Sequence, residues 1–196
     1  MATRIDSTEI QNVVASTGID HELELKELAA DMTGVEYNPS GVPGLVYRIQ
    51  EPKATVLIFR SGKIVCTGAS STENVDEAMS IVFRELRNLG LRLDKSPEIT
   101  LHNIVSKADL GESLNLNAIA IGLGLENVEY EPEQFPGLLY QMSEPDVAII
   151  LFGSGKVIIA GAKRPTDAKT AVNHLIHELD GLGLIDTEFE ITFNYV

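Results

Sequence analysis

The chain has 196 residues, enough for one or two domains with a sizeable core. With one cysteine, Cys66, it can form no internal disulfide and no cysteine-rich zinc site; no apolar stretch is long enough to span a bilayer, so a soluble, cytoplasmic protein is expected. The net charge of −14 argues against broad phosphate binding, but its distribution weakens that argument: residues 43–70 carry +3, residues 136–164 carry +1 and the remainder −18.

Residues 9–16 (EIQNVVAS) are predicted to form a strand with Asn12 and Val14 on one face and Val13 and Ala15 on the other. An Asn within an apolar strand needs a hydrogen-bond partner. A short helix over 22–31 follows, with Leu25 and Leu28 inward, then a short strand over 34–37 and a turn-rich loop over 38–44. Three tightly connected strands span 44–50, 54–60 and 63–69. In the last two, Leu57, Phe59, Val65 and Thr67 alternate with Val56, Ile58, Ile64 and Cys66, so both faces are apolar. Residues 71–90 read as a long amphipathic helix with Val75, Met79, Val82, Phe83 and Leu86 at helical spacing, Ser71 or Thr72 at its start and Gly90 at its end.

The second half repeats this order. A strand over 99–107 bears Asn103 and Val105, and a helix over 115–125, an extended stretch over 128–130 and a loop over 131–137 follow. Strands are then expected at 138–143, 147–152 and 156–162, and a helix at 165–181 with Ala168, Val172, Leu175 and Leu179 inward. Residues 186–196 form an acidic, partly apolar tail.

Displacing the chain by 93 positions matches residues 35–91 to 128–184 with about 22 identities in 57, a repeat well above chance. Upstream the displacement becomes 91, so that Asn12-Val13-Val14 meets Asn103-Ile104-Val105. A period this long predicts two pseudo-symmetric halves, 6–96 and 97–189, followed by a tail over 190–196. Successive hairpins imply an antiparallel sheet of about ten strands in an α+β fold. Four helices can cover one face of such a sheet, and the apolar face left uncovered marks an interface.

Some residues invite a chemical reading. Ser154-Gly155-Lys156 resembles the end of a phosphate loop, but the longer spacing and a following Ser or Thr are missing, so a hairpin turn fits better. His174 and His177 have a spacing that can hold a metal, yet no third ligand stands nearby. Cys66 reads as a buried apolar thiol. Phe59, Phe135 and Phe152 suit a core as well as an exposed role, although Phe135 lies in a Gln-Phe-Pro-Gly loop where core packing is less natural.

Taken together, Asn-Val-Val and Asn-Ile-Val, the two Val-Glu-Tyr segments, Glu-Tyr-Glu-Pro-Glu-Gln-Phe-Pro-Gly-Leu and Phe-x-Ser-Gly-Lys resemble the TATA-box-binding protein family in its archaeal form, over residues 10–184. The resemblance implies a ten-stranded curved antiparallel saddle sheet with four helices on its convex face and the concave face against the DNA minor groove. It implies a general transcription initiation factor without catalysis or cofactor, associated with the nucleoid, whose partners are A/T-rich promoter DNA, transcription factor B and the RNA polymerase machinery. Asn12, Asn103 and Thr67 would meet base acceptors, which suits an A/T-rich element because only the guanine amino group distinguishes G·C clearly in that groove. Val14, Val105, Leu57, Ile150, Val65 and Ile158 would press on the groove floor. Phe59, Phe135 and Phe152 would wedge between base steps, this family being itself the standard example of such kinking. Val42 occupies the fourth wedge position. Arg48, Lys63, Lys156 and Lys163 would meet phosphates, and Glu131 and Glu133 would dock transcription factor B. The chain departs from the family pattern at Val42, at Ala160 opposite Thr67 in the repeat, and at Ser70 and Gln141 where basic residues are expected. The alternative is a module of the same fold whose apolar sheet serves self-association, as a homodimer off DNA, or an apolar ligand.

Overall fold

The computed structural model describes residues 8–93 and 97–185. The expected tail over 190–196, and the parts of the two expected repeats at 6–7, 94–96 and 186–189, lie outside the described residues. The elements run β1 (Glu9–Gly18), α1 (Leu25–Asp31), β2 (Val35–Tyr37), β3 (Gly44–Ile49), β4 (Ala54–Phe59), β5 (Lys63–Ala69), α2 (Thr72–Asn88), β6 (Thr100–Asp109), α3 (Leu116–Gly122), β7 (Val128–Glu129), β8 (Gly137–Ser143), β9 (Asp146–Phe152), β10 (Lys156–Ala162) and α4 (Pro165–Gly181). The strands form a ten-stranded sheet in the order β2-β3-β4-β5-β1-β6-β10-β9-β8-β7, the α+β class expected. No helix among the described residues is long and apolar enough to cross a membrane.

The described residues divide into two compact units, one within 11–104 and one formed by residues 8–10 together with 105–185. In the first, the hairpins align Leu57 with Val65, Ile58 with Ile64 and Val46 with Leu57, all antiparallel. Period-two alternation sends Val56, Ile58, Ile64 and Cys66 to one face, where they are fully buried beneath α2. Helix α2 forms because Val75, Ala78, Met79, Val82, Phe83 and Leu86 recur at three- and four-residue spacing and are all buried. Ser71 Oγ accepts from the Asn74 N–H at 3.1 Å, satisfying one of the helix's unpaired donors. The helix ends where Gly90, at φ +89°, lets the Leu91 N–H return to the Leu86 carbonyl at 3.1 Å. Burial of each large α2 side chain stabilises by about 1.5–3 kcal/mol before entropy is counted, so Met79→Ala is the kind of change that breaks this layer, at about 2–5 kcal/mol.

The second unit repeats the design. The β9–β10 hairpin aligns Ile150 with Ile158, and Val147, Ile149, Leu151, Val157 and Ile159 are buried on the face that α4 covers. Helix α4 starts at Pro165, which fits the first turn because its missing N–H would be unpaired there anyway. Asp167 closes the start by accepting from the Arg164 N–H at 3.0 Å and from Arg164 Nε at 2.9 Å.

The Ser-Gly-Lys turns are structural in both units. The Ile19 N–H donates to the Gly62 carbonyl at 3.0 Å and the Leu23 N–H to the Arg60 carbonyl at 2.8 Å. Leu110 and Leu114 make the same bonds to Gly155 and Gly153, each at 2.9 Å. Gly62 and Gly155 have φ of +82° and +87°, and a Cβ on either would run into main-chain carbonyl oxygens, of Ile19 and His21 or of Glu112. Only glycine meets both demands.

Two helices are shorter than expected, the first because of one of these bonds. The helix expected over 22–31 starts at Leu25, because the Leu23 N–H is committed to the Arg60 carbonyl and Glu24 is extended, at φ −85° and ψ 90°. The helix expected over 115–125 spans Leu116–Gly122, with Asn115 as its cap through Oδ1 and the Ala118 N–H at 3.2 Å, and with Gly124 at φ +88° turning the chain away. The strands expected over 9–16 and 99–107 each run two residues further, to Gly18 and Asp109; Thr17 and Gly18 pair with Ile64 and Lys63.

Candidate nucleic-acid interface

In the unit over 11–104, the strand positions that do not face helices hold Val46, Leu57, Phe59, Val65 and Thr67, all half-buried. Strand register sets Leu57 beside Val46 and Val65, and Thr67 beside Thr55, so their side chains share one face as cross-strand neighbours. Arg48 and Lys63 belong to the same alternation and are exposed. On β1, Asn12 and Val14 are half-buried, whereas Val13 and Ala15 are fully buried, as the alternation predicts. Asn103 is half-buried on β6. The other unit has the corresponding row of Val105, Ile150, Phe152, Ile158 and Ala160, half-buried, with Lys156 and Lys163 exposed. These rows are apolar surface that no helix of their own unit covers.

Asn12 has a defined orientation. Its Oδ1 accepts from the Gly68 N–H at 2.7 Å and from the Thr67 hydroxyl at 3.4 Å. Gly68, at φ +82°, lies where the β1–β5 register shifts, and this bulge aims its N–H at the side chain of Asn12. The amide oxygen is thereby used internally, and the Nδ2 hydrogens remain to donate outward.

The aromatic positions differ between the units. Phe135 is 46 % exposed and meets Phe152 edge to face, with ring centroids 6.0 Å apart. Gly137 makes room for this pair, since a Cβ there would stand 2.6 Å from the Phe135 ring and 2.9 Å from Ile150. The loop is closed on itself: the Gln134 and Phe135 N–H groups donate to the Glu131 carbonyl, each at 2.9 Å, and the Gln134 side chain donates to the Glu131 carboxylate. Glu131 and Glu133 are both exposed. In the other unit Phe59 lies against Gly44, and Val42 is 41 % exposed in the position equivalent to Phe135.

The departures from the repeat have local uses. Gln141, opposite Arg48 in the repeat, donates to Asp146 Oδ1 and to the Val147 carbonyl, each at 3.3 Å. Ser70 accepts from Asn74 Nδ2 at 3.1 Å. Arg48 itself stands 3.7 Å from Glu36, an exposed pair worth little in water. His174 Nδ1 donates to the Glu144 carbonyl at 2.8 Å, and no cluster of three His, Cys, Asp or Glu among the described residues could hold a metal. Beside it, the Tyr140 hydroxyl donates to Glu178 at 3.0 Å, and burial together with that carboxylate pushes the phenol up to about 12. Burial pushes the Cys66 thiol up to about 11, as befits a group that packs in place of an aliphatic side chain.

Two features escape sequence reasoning: the capture of Asn12 by a main-chain N–H 56 residues away, and the contact of Phe135 with Phe152. The glycines of Thr-Gly-Ala and Ile-Ala-Gly-Ala were the available signal for the first, since a glycine inside a strand often marks a bulge.

The family model for "Transcription factor TFIID (or TATA-binding protein, TBP)" matches residues 7–89 and 98–182. TATA-box-binding protein 2 of Haloferax volcanii is 62 % identical over 185 residues, which cover 94 % of this chain and 100 % of the relative. The TATA-box-binding protein of Haloarcula marismortui is 60 % identical over 181 residues, 92 % of this chain and 97 % of the relative. Among solved structures, Methanococcus jannaschii TBP superposes with a TM-score of 0.79 at 44 % identity, covering 89 % of this chain and 99 % of that one.

Proposed function

We propose how promoter DNA is read by this chain, which belongs to the TATA-binding protein family and is a general transcription initiation factor that binds TATA DNA. The uncovered sheet rows lie against the minor groove. Val14, Leu57, Val65, Val105, Ile150 and Ile158 exclude water from its floor, while Asn12 and Asn103 donate to the acceptors that A·T and T·A pairs both present. Phe59, Phe135 and Phe152 insert between base steps, with Val42 as a smaller fourth contact, and Arg48, Lys63, Lys156 and Lys163 meet phosphates. The role requires no catalytic group: bent DNA and protein together form the platform on which transcription factor B and the polymerase assemble at the nucleoid.

The observation that carries this reading is the Asn12 amide, set among apolar side chains with its oxygen already occupied and its hydrogens available. Minor-groove A·T edges offer only acceptors, so an amide that presents donors is matched to them. Replacing Asn12 and Asn103 by Ala tests it: each lost base contact costs about 1–3 kcal/mol on an A/T-rich duplex and less on a random one. Equal losses on both, measured by fluorescence anisotropy, reject the base-reading role.

Glu131 and Glu133 are assigned to transcription factor B because they are exposed on a loop that its own hydrogen bonds hold closed. Glu131→Arg with Glu133→Arg leaves DNA binding nearly intact and abolishes recruitment of the factor; a ternary complex forming at wild-type concentration overturns the assignment. Off DNA, the half-buried apolar rows favour a second copy of the chain as cover. Sedimentation that shows a monomer at micromolar concentration removes this homodimer.

A further inference from the structure

We infer that Gly68 and Thr67 act as a lock that fixes which way the Asn12 amide faces, and that the lock, more than the amide alone, rejects G·C pairs. The inference rests on the reading of Asn12 as a base-contacting residue.

A carboxamide carries an acceptor and a donor of nearly the same size on one planar group. Rotated by half a turn, an unrestrained Asn presents its oxygen where its NH₂ had been. In the minor groove that choice decides specificity. Adenine N3 and thymine O2 accept hydrogen bonds, whereas guanine adds an N2 amino group that donates. An outward NH₂ therefore bonds to A·T edges and meets the guanine amino group donor against donor. An outward oxygen accepts from that amino group instead. An amide able to turn both ways accommodates either base pair and discriminates weakly, so rejection requires that one orientation be denied to it.

The geometry denies it. A main-chain N–H can only donate, so the Asn12 atom 2.7 Å from the Gly68 nitrogen must be the oxygen. Turning the amide would bring NH₂ against N–H and, once DNA covers this exposed part of the strand, leave the Gly68 donor without its acceptor. The Thr67 hydroxyl, 3.4 Å from the same oxygen, adds a second donor. Through this bond Thr67 also helps to position the amide. Gly68 can aim its N–H sideways only because the bulge frees it from the β1–β5 ladder and φ of +82° suits glycine. The other unit carries Ala160 at the position of Thr67, so the hydroxyl part of this lock belongs to the first repeat alone.

The test separates the guanine amino group from everything else by comparing duplexes with one central I·C or G·C pair, inosine being guanine without N2. The full chain is used, with glycolic acid at position 68, which replaces the N–H by an ester oxygen, with Thr67→Val, and with Asn12→Ala. The wild type favours I·C over G·C by about tenfold. The ester brings this ratio close to one, Thr67→Val lowers it about twofold, and the ester adds nothing in the Asn12→Ala background. A wild-type ratio retained by the ester protein, or equal loss of affinity for both duplexes, overturns the lock. Should the ester protein fail to fold, by its circular dichroism melt, an unchanged ratio in Thr67→Val overturns it. If Asn12→Ala itself keeps the wild-type ratio, the reading of Asn12 as a base contact has failed, a result distinct from failure of the lock.

Discussion

Truncating Phe135 separates a wedge from a packing residue. Just over half of its surface is covered, so Phe135→Ala forfeits about half the 1.5–3 kcal/mol of a fully buried Phe. Loss of the edge-to-face contact with Phe152 adds about 0.5–1.5 kcal/mol, for a total near 2 kcal/mol. In a chain of this size that lowers Tm by about 4–8 °C, less than a fully buried Ile149→Ala, at about 2–5 kcal/mol, can cost. An exposed aromatic that enters DNA behaves as an interface hot spot, whose truncation costs at least about 2 kcal/mol, or about thirtyfold in affinity. Calorimetry gives the first quantity, and a duplex with a fluorophore at each end gives affinity and bend together by energy transfer. The expected result is a modest fall in Tm with a large fall in affinity and a straighter duplex. A variant that loses stability but bends and binds DNA like the wild type refutes the wedge.

Val42→Phe supplies the aromatic that the first unit lacks; because Val42 is 41 % exposed, Tm should stay within about 2 °C while the bend measured by energy transfer increases. Counterion release from the phosphates met by Arg48, Lys63, Lys156 and Lys163 gives a slope near −4 for log affinity against log salt, and the −14 net charge flattens it further; anisotropy titration in potassium chloride that gives about −8 contradicts the assignment of affinity to the apolar face. Burial works against the charge of Asp167, but hydrogen bonds from the Arg164 side chain and from the Arg164 and Lys163 N–H groups outweigh it and hold the carboxyl below its usual 3.8. Because the folded value is depressed, the stability that Asp167 contributes is present above about pH 4 and is lost as pH falls through the folded value, so the Tm difference between wild type and Asp167→Asn should shrink below pH 4.

The parts of the molecule written in local pattern could be read in advance. Alternation at period two separated Leu57, Phe59 and Val65 from Val56, Ile58 and Ile64, and the helical spacing of Val75 to Leu86 marked the buried stripe of α2. The duplication gave the order of elements twice, so each half served as a check on the other. What could not be read depends on distant main-chain bonds. Leu23 is a good helix former, but its N–H group belongs to the hairpin turn some 40 residues later, and the helix expected from residue 22 starts after it. Likewise the need of Asn12 for a partner was evident from its apolar surroundings, whereas its satisfaction by a bulge at Gly68 required the register of β1 on β5. Residue type identified Phe135 as unusual in its loop; only the absent Cβ of Gly137 explains how its ring reaches Phe152.

The central claim is that an apolar sheet face carrying amide donors selects A/T-rich minor grooves. It is tested most directly by the affinity of the full chain for an A/T-rich duplex and for its G/C-rich counterpart of equal length, measured by anisotropy at one salt concentration. The account predicts binding to the A/T-rich duplex tighter by about a thousandfold, within the range by which specific DNA complexes exceed non-specific ones. Equal affinity for the two duplexes would contradict it.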